Sequence, residues 1–149
     1  MTPPRVRHDW IDAGKGLGIV LVVFGHTWRG CWDAGLFGAV PEALFRAVDT
    51  RIYAFHMPLF FMISGFFLVP SLAHRSPKRF AQSRVIRLLY PLVLWTYLFG
   101  GSKLLVGRLA NTPMSLDEFP LLPLPPKWQF WFLWALFLLH LGVLALRPL

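Results

Sequence analysis

The stretch IYAFHMPLFFMISGFFLVPSLA, residues 52–73, contains no formal charge. At 1.5 Å per residue, its 22 residues make a helix of about 33 Å, enough to cross a hydrocarbon core of about 30 Å. Its surroundings agree. Hydrophobic residues make up 56% of the 149, charged residues only 15%, and mean hydropathy is +0.54. Soluble domains carry about 25% charged residues, and a soluble domain of this size has too little interior for so much apolar surface. The one cysteine, Cys31, excludes a disulfide scaffold.

Three further apolar runs flank this one. GLGIVLVVFGHTW, residues 16–28, is too short alone and spans only if its helix starts near Trp10 or Ile11, which draws Asp12 and Lys15 to the membrane edge. Asp12 and Lys15 are three apart on one helical face and so able to pair. The run after Arg87 holds Pro91 early, and Gly100-Gly101 is expected to end or loosen it. WQFWFLWALFLLHLGVLAL, residues 128–146, opens with three tryptophans, as an interfacial aromatic belt does. The expected fold is an all-α polytopic membrane helix bundle, one domain over residues 1–149. Its four spans fall at about 11–28, 52–71, 86–102 and 128–146. In the second span, Pro58 is expected to kink the helix or to lie in its first turn, and Ser64-Gly65 to offer a small surface for a neighbouring helix.

Net charge is +8. Neither a basic stripe among polar residues nor a zinc-finger or helix-turn-helix spacing accompanies it, which argues against nucleic acid as a partner. Residues 71–87 hold Arg75, Lys78, Arg79, Arg84 and Arg87 with no acidic residue, whereas in residues 29–51 three arginines balance three acids. The positive-inside rule therefore places residues 71–87, and the N-terminus with Arg5 and Arg7, in the cytoplasm. The proline-rich stretch FPLLPLPPK, residues 119–127, then belongs to an irregular outer loop.

Several polar groups stand where lipid disfavours them. Lys15 and His26 are eleven residues apart, which returns to within about 20° of the same helical direction, roughly 16 Å along the axis. Histidine at depth suits proton transfer near neutral pH; it also suits a hydrogen bond to a neighbouring helix or to water, and snorkelling accounts for Lys15 equally well. His56, in YAFHMP, falls at about the depth of His26. His140 is expected deeper towards the inner side, in a structural role. No histidine or cysteine spacing builds a metal site. Arg84 and Arg87 share one face three residues apart and match phosphate oxygens, but anionic lipid or topology alone explains them too. Gly14, Gly18 and Gly25 form a small-residue seam for close helix packing.

These segments resemble the integral-membrane acyltransferase family 3, most closely its fucose 4-O-acetyltransferase-like branch. WIDAGKGLGIVLVVFGHT is similar to the family's first helix, with its basic residue and histidine at Lys15 and His26. FHMPLFFMISGFF is similar to its second helix, and RFAQSRVIRLLYPLVLW to its third-helix entrance, with the Arg-x-x-Arg at Arg84 and Arg87. WFLWALF is similar to a later aromatic segment. The resemblance implies acetyl transfer from acetyl-CoA, a co-substrate and not a bound cofactor, to a sugar hydroxyl of a cell-envelope or exported glycan. It further implies an integral protein of the bacterial inner membrane in contact with membrane lipids. Carried over, His26 is the catalytic base or proton shuttle, with His56 supporting it. Arg84 and Arg87 meet coenzyme A phosphates, and Lys15 is the matching basic residue on the donor side. An oxyanion donor could be His56, Ser64 or a backbone group at Pro58. Family members are much longer, so the resemblance implies that these residues are the N-terminal part of one. A non-enzymatic membrane module and a proton-coupled transporter fragment are the competing classes. The sequence sets no oligomeric state.

Overall fold

The computed structural model describes residues 9–146; Arg5 and Arg7 lie outside the described residues. Five α-helices follow in order: α1 (Asp9–Asp33), α2 (Glu42–Ala73), α3 (Pro77–Arg84), α4 (Tyr90–Val106) and α5 (Trp131–Ala145). No strand forms among the described residues. Among the described residues, three helical runs are long and apolar enough to cross a membrane: α2, the continuous Pro77–Leu109, and Trp128–Ala145. The helical membrane class follows from them. The first of the four expected spans differs. With 25 residues α1 has the length, about 37 Å, but Asp9, Asp12, Lys15, Arg29 and Asp33 dilute its apolar composition.

Two compact units divide the chain, Met1–Phe66 and Phe67–Leu149. In the first, α1 and the early part of α2 form an antiparallel hairpin joined by residues 34–41, where Gly35 and Gly38 take positive φ. The glycine seam sets its closeness. A methyl placed on Gly14 would meet Ile63 at 3.5 Å, on Gly25 Ile52 at 3.4 Å, and on Gly18 the Phe60 ring at 2.8 Å. Each pair of numbers sums to 77 or 78, as an antiparallel register requires. At the hairpin's turn end Trp28 packs against Phe24, Phe37 and Phe45, and its indole donates to the Phe45 carbonyl.

Both hairpin helices outrun their apolar cores. α2 begins at Glu42, ten residues before the uncharged run, so Pro58 stands in the middle of the helix and not in its first turn. The expected loop of residues 29–51 shrinks accordingly, because its charges are satisfied on the helices: Glu42 pairs with Arg46, and Arg29 with Asp49. A methyl placed on Gly65 would meet nothing within 4 Å among the described residues.

In the second unit, Leu68, Leu72 and Phe80 form a buried cluster against which Leu144 packs. A single π-helical turn, Val85–Leu89, links α3 to α4, with the Tyr90 amide donating to the Val85 carbonyl. Pro91 explains its place: it has no N–H, and its ring would strike the carbonyl four residues earlier, so a widened turn relieves the clash. The turn also sets helix phase. Phe80 and Leu92 are twelve residues apart, roughly 120° out of line on a regular helix. Absorbing one extra residue brings them within about 20°. Phe80, Leu92, Thr96 and Gly100 are all buried. Gly100-Gly101 does not end the helix. A methyl on Gly100 would lie 3.0 Å from Phe119 and 3.2 Å from Trp128, so this glycine admits the returning loop. The stop comes at Gly107, whose φ of 55° is open to glycine and costly for other residues. The loop is irregular, as expected, and is pinned by Tyr97 donating to the Leu121 carbonyl, Lys103 to Thr112 and Lys127 to the Glu118 carbonyl.

Candidate active site

His26 and His56 line one pocket in the first unit, with Val22, Gly25, Arg29, Asp49, Ile52 and Tyr53. Its free volume is about 20 Å³, room for roughly one oxygen atom such as a water or a hydroxyl group, and it is half-open rather than enclosed, so the rest of a bound molecule can extend outside it. Helical spacing assembles it. His26 and Arg29 are one turn apart on α1, and Asp49, Tyr53 and His56 recur at one-turn steps on α2. Gly25 lets Ile52 close against α1, which brings the two rows together.

His56 is 6% exposed. Its Nδ1 lies 2.6 Å from the Ile52 carbonyl oxygen. A carbonyl only accepts, so Nδ1 carries the proton, and in the neutral form of the ring Nε2 keeps its lone pair for another partner. Tyr53 and Phe60 meet the ring edge-on from either side along α2. His26 is exposed on the α1 flank of the same pocket.

The pocket's charge is balanced. Arg29 donates through Nε and one Nη to the two oxygens of Asp49, at 2.6 and 2.9 Å, and its guanidinium lies 4.9 Å from the centre of the Tyr53 ring. Sequence reasoning counted Arg29 and Asp49 only as cancelling loop charges. The available signal was spacing: His26-x-x-Arg29 and Asp49-x-x-x-Tyr53-x-x-His56 each repeat one helical face.

The remaining sequence candidates lie elsewhere. Lys15 sits 3.4 Å from Asp12, an exposed pair of the kind that contributes little, and does not line the histidine pocket. Ser64 and Pro58 do not line it either. In the second unit Arg84 ends α3 and Arg87 lies in the π turn that follows. Arg84 turns inward, donates to Ser71 Oγ at 2.7 Å and stacks on Phe80 at 4.5 Å, while Arg87 stays exposed. His140, buried in α5, packs near Phe80. No group of histidine, cysteine and acidic side chains among the described residues could hold a metal ion.

The sequence profile described as an acyltransferase domain matches residues 8–149, nearly the whole chain. The chain belongs to the acyltransferase 3 family. Two curated relatives agree on the extent of the match. Nodulation protein NolL of Mesorhizobium japonicum is 31% identical over 129 residues, covering 85% of this chain and 32% of the relative. Nodulation protein NolL of Sinorhizobium fredii is 31% identical over 138 residues, covering 87% and 34%. The acyltransferase 3 chain thus spans about a third of the length of these relatives. No solved structure matches it significantly. Family membership and the apolar helices together make it an integral membrane protein.

Proposed function

We propose that this chain carries the proton-transfer site of a membrane O-acyltransferase, which moves an acetyl group from acetyl-CoA to a sugar hydroxyl of a cell-envelope or exported glycan. The observation that carries this reading is the convergence of His26 and His56 on a pocket sized for one oxygen. A hydroxyl seated there has an imidazole on each side of it, and a neutral imidazole is a proton acceptor of the kind general-base catalysis needs. His26 acts as the base or shuttle, and His56 holds or shares the proton.

Donor handling belongs to the basic residues of the second unit. Exposed Arg87 is free to meet a phosphate, whereas Arg84 serves by fixing the helix that presents it. Lys15 is the family's matching basic residue but sits outside the pocket. By the positive-inside rule the N-terminus and residues 71–87 face the cytoplasm, where coenzyme A thioesters are made, and the membrane is the bacterial inner one.

The test is transfer of labelled acetyl from acetyl-CoA to envelope glycan by the full-length protein in membrane vesicles. His26→Ala is expected to lower the rate by roughly 10²–10⁴-fold. Equal transfer by variant and wild type would remove His26 from the chemistry. Proton-coupled flux without any acyl transfer would favour a transporter.

A further inference from the structure

We propose that Arg29 is the oxyanion donor of this site, with Asp49 and Tyr53 as its positioning residues; the inference rests on the histidine pocket being the place of acyl transfer. In that reaction the acceptor hydroxyl oxygen attacks the thioester carbonyl carbon. A C–O bond forms, the carbonyl electron pair moves onto oxygen, and the hydroxyl proton passes to a histidine nitrogen. Collapse re-forms the carbonyl, breaks the C–S bond, and returns the proton to the departing thiolate. The negative charge that appears on the carbonyl oxygen is stabilised best by a donor already in place before it forms.

Arg29 meets that requirement among the residues lining the pocket. Val22, Gly25 and Ile52 offer no polar side chain, Asp49 only accepts, His26 takes the hydroxyl proton, and the Tyr53 hydroxyl is a neutral donor without a formal charge. His56 spends its Nδ1 proton on the Ile52 carbonyl. Ser64 and Pro58, the other sources considered from sequence, are not in the pocket wall. Arg29 is the lining residue with a permanent positive charge, and it is held from two sides, by both oxygens of Asp49 and by the Tyr53 face. The two-point grip uses two of its five N–H bonds and leaves three to donate elsewhere. An arginine so fixed loses little further freedom when the charge develops. Asp49 also neutralises it at rest, so the pocket is not an anion trap that would hold a carboxylate or phosphate in place of the hydroxyl.

The same ion pair could serve merely to clamp α1 to α2, and the experiment separates the two roles. In the full-length protein, kcat, KM for acetyl-CoA and thermal unfolding are measured for Arg29→Lys and for the reciprocal exchange Arg29→Asp/Asp49→Arg. The exchange restores the interhelical pair but moves the guanidinium to the other helix. An oxyanion role predicts that Arg29→Lys loses ~100-fold in kcat with little change in KM. It predicts that the exchange recovers the unfolding temperature without recovering kcat. Recovery of both overturns the proposal, as does wild-type kcat in Arg29→Lys. Should the exchange not fold, Arg29→Lys, which keeps a cation at the interface, decides alone. Wild-type protein that transfers no acetyl refutes the functional reading itself; active wild type with an unaffected Arg29→Lys refutes only this inference.

Discussion

Gly18→Ala tests the packing that brings the two histidines together. A methyl on Gly18 would stand 2.8 Å from Phe60 Cζ and 3.0 and 3.3 Å from its two Cε atoms. Favourable carbon–carbon contact begins near 3.5 Å, so about 0.7 Å must be found. Either the Phe60 ring swings, disturbing its edge contact with His56, or α1 retreats and loosens the Gly14–Ile63 and Gly25–Ile52 contacts at either end of the seam. Overpacking of this kind costs about 1–3 kcal/mol. Alanine also gains up to about 1 kcal/mol of helix propensity over glycine, which masks part of the cost. Gly16→Ala supplies the control. It lies two residues away on α1, meets nothing within 4 Å, and carries the same propensity gain. The difference between the two variants therefore isolates the clash. At roughly 2–4 °C per kcal/mol, thermal unfolding in detergent should place Gly18→Ala several degrees below Gly16→Ala. Phe60→Leu in the Gly18→Ala background should recover part of the loss, because the offending ring is gone. Equal unfolding temperatures for Gly18→Ala and Gly16→Ala would refute the reasoning.

The C-terminal stop of α4 and the two arginines give further tests. Gly107→Ala should cost about 1–3 kcal/mol through backbone strain alone, since its φ is 55° and nothing lies within 4 Å to clash; an unchanged unfolding temperature would contradict this. Arg84→Ala should lower stability by about 1.5–3 kcal/mol through loss of its charged hydrogen bond to Ser71. Arg87→Ala should leave stability unchanged and raise KM for acetyl-CoA. The opposite pattern would show that the half-buried arginine, not the exposed one, meets the donor.

The helical membrane class was legible because uncharged runs such as residues 52–73 leave few alternatives in lipid. The glycine seam was legible as well: residues at four- and seven-residue steps share a face whatever the partner, and the structure supplies that partner in Leu59, Ile63, Phe60 and Ile52. Helix ends were not legible. Apolar runs mark the segments that lipid favours, but α1 and α2 continue beyond those runs once Arg29 and Asp49 satisfy each other across the hairpin. Gly100 looked like a breaker because glycine has two uses, and only the approach of Phe119 and Trp128 tells close packing from termination. Arg84 ends α3 and Arg87 lies in the π turn that follows, a change of winding that periodicity does not reveal.

Composition and periodicity alone determined that this is a helical membrane protein, since that follows from transfer free energy and from the fixed 100° step. The meeting of His26 with His56, the grip of Asp49 on Arg29 and the inward turn of Arg84 needed the tertiary structure. Each depends on the register between helices, or on one widened turn within a helix. A rotation or slip of a single residue would undo any of them without altering the hydrophobic pattern.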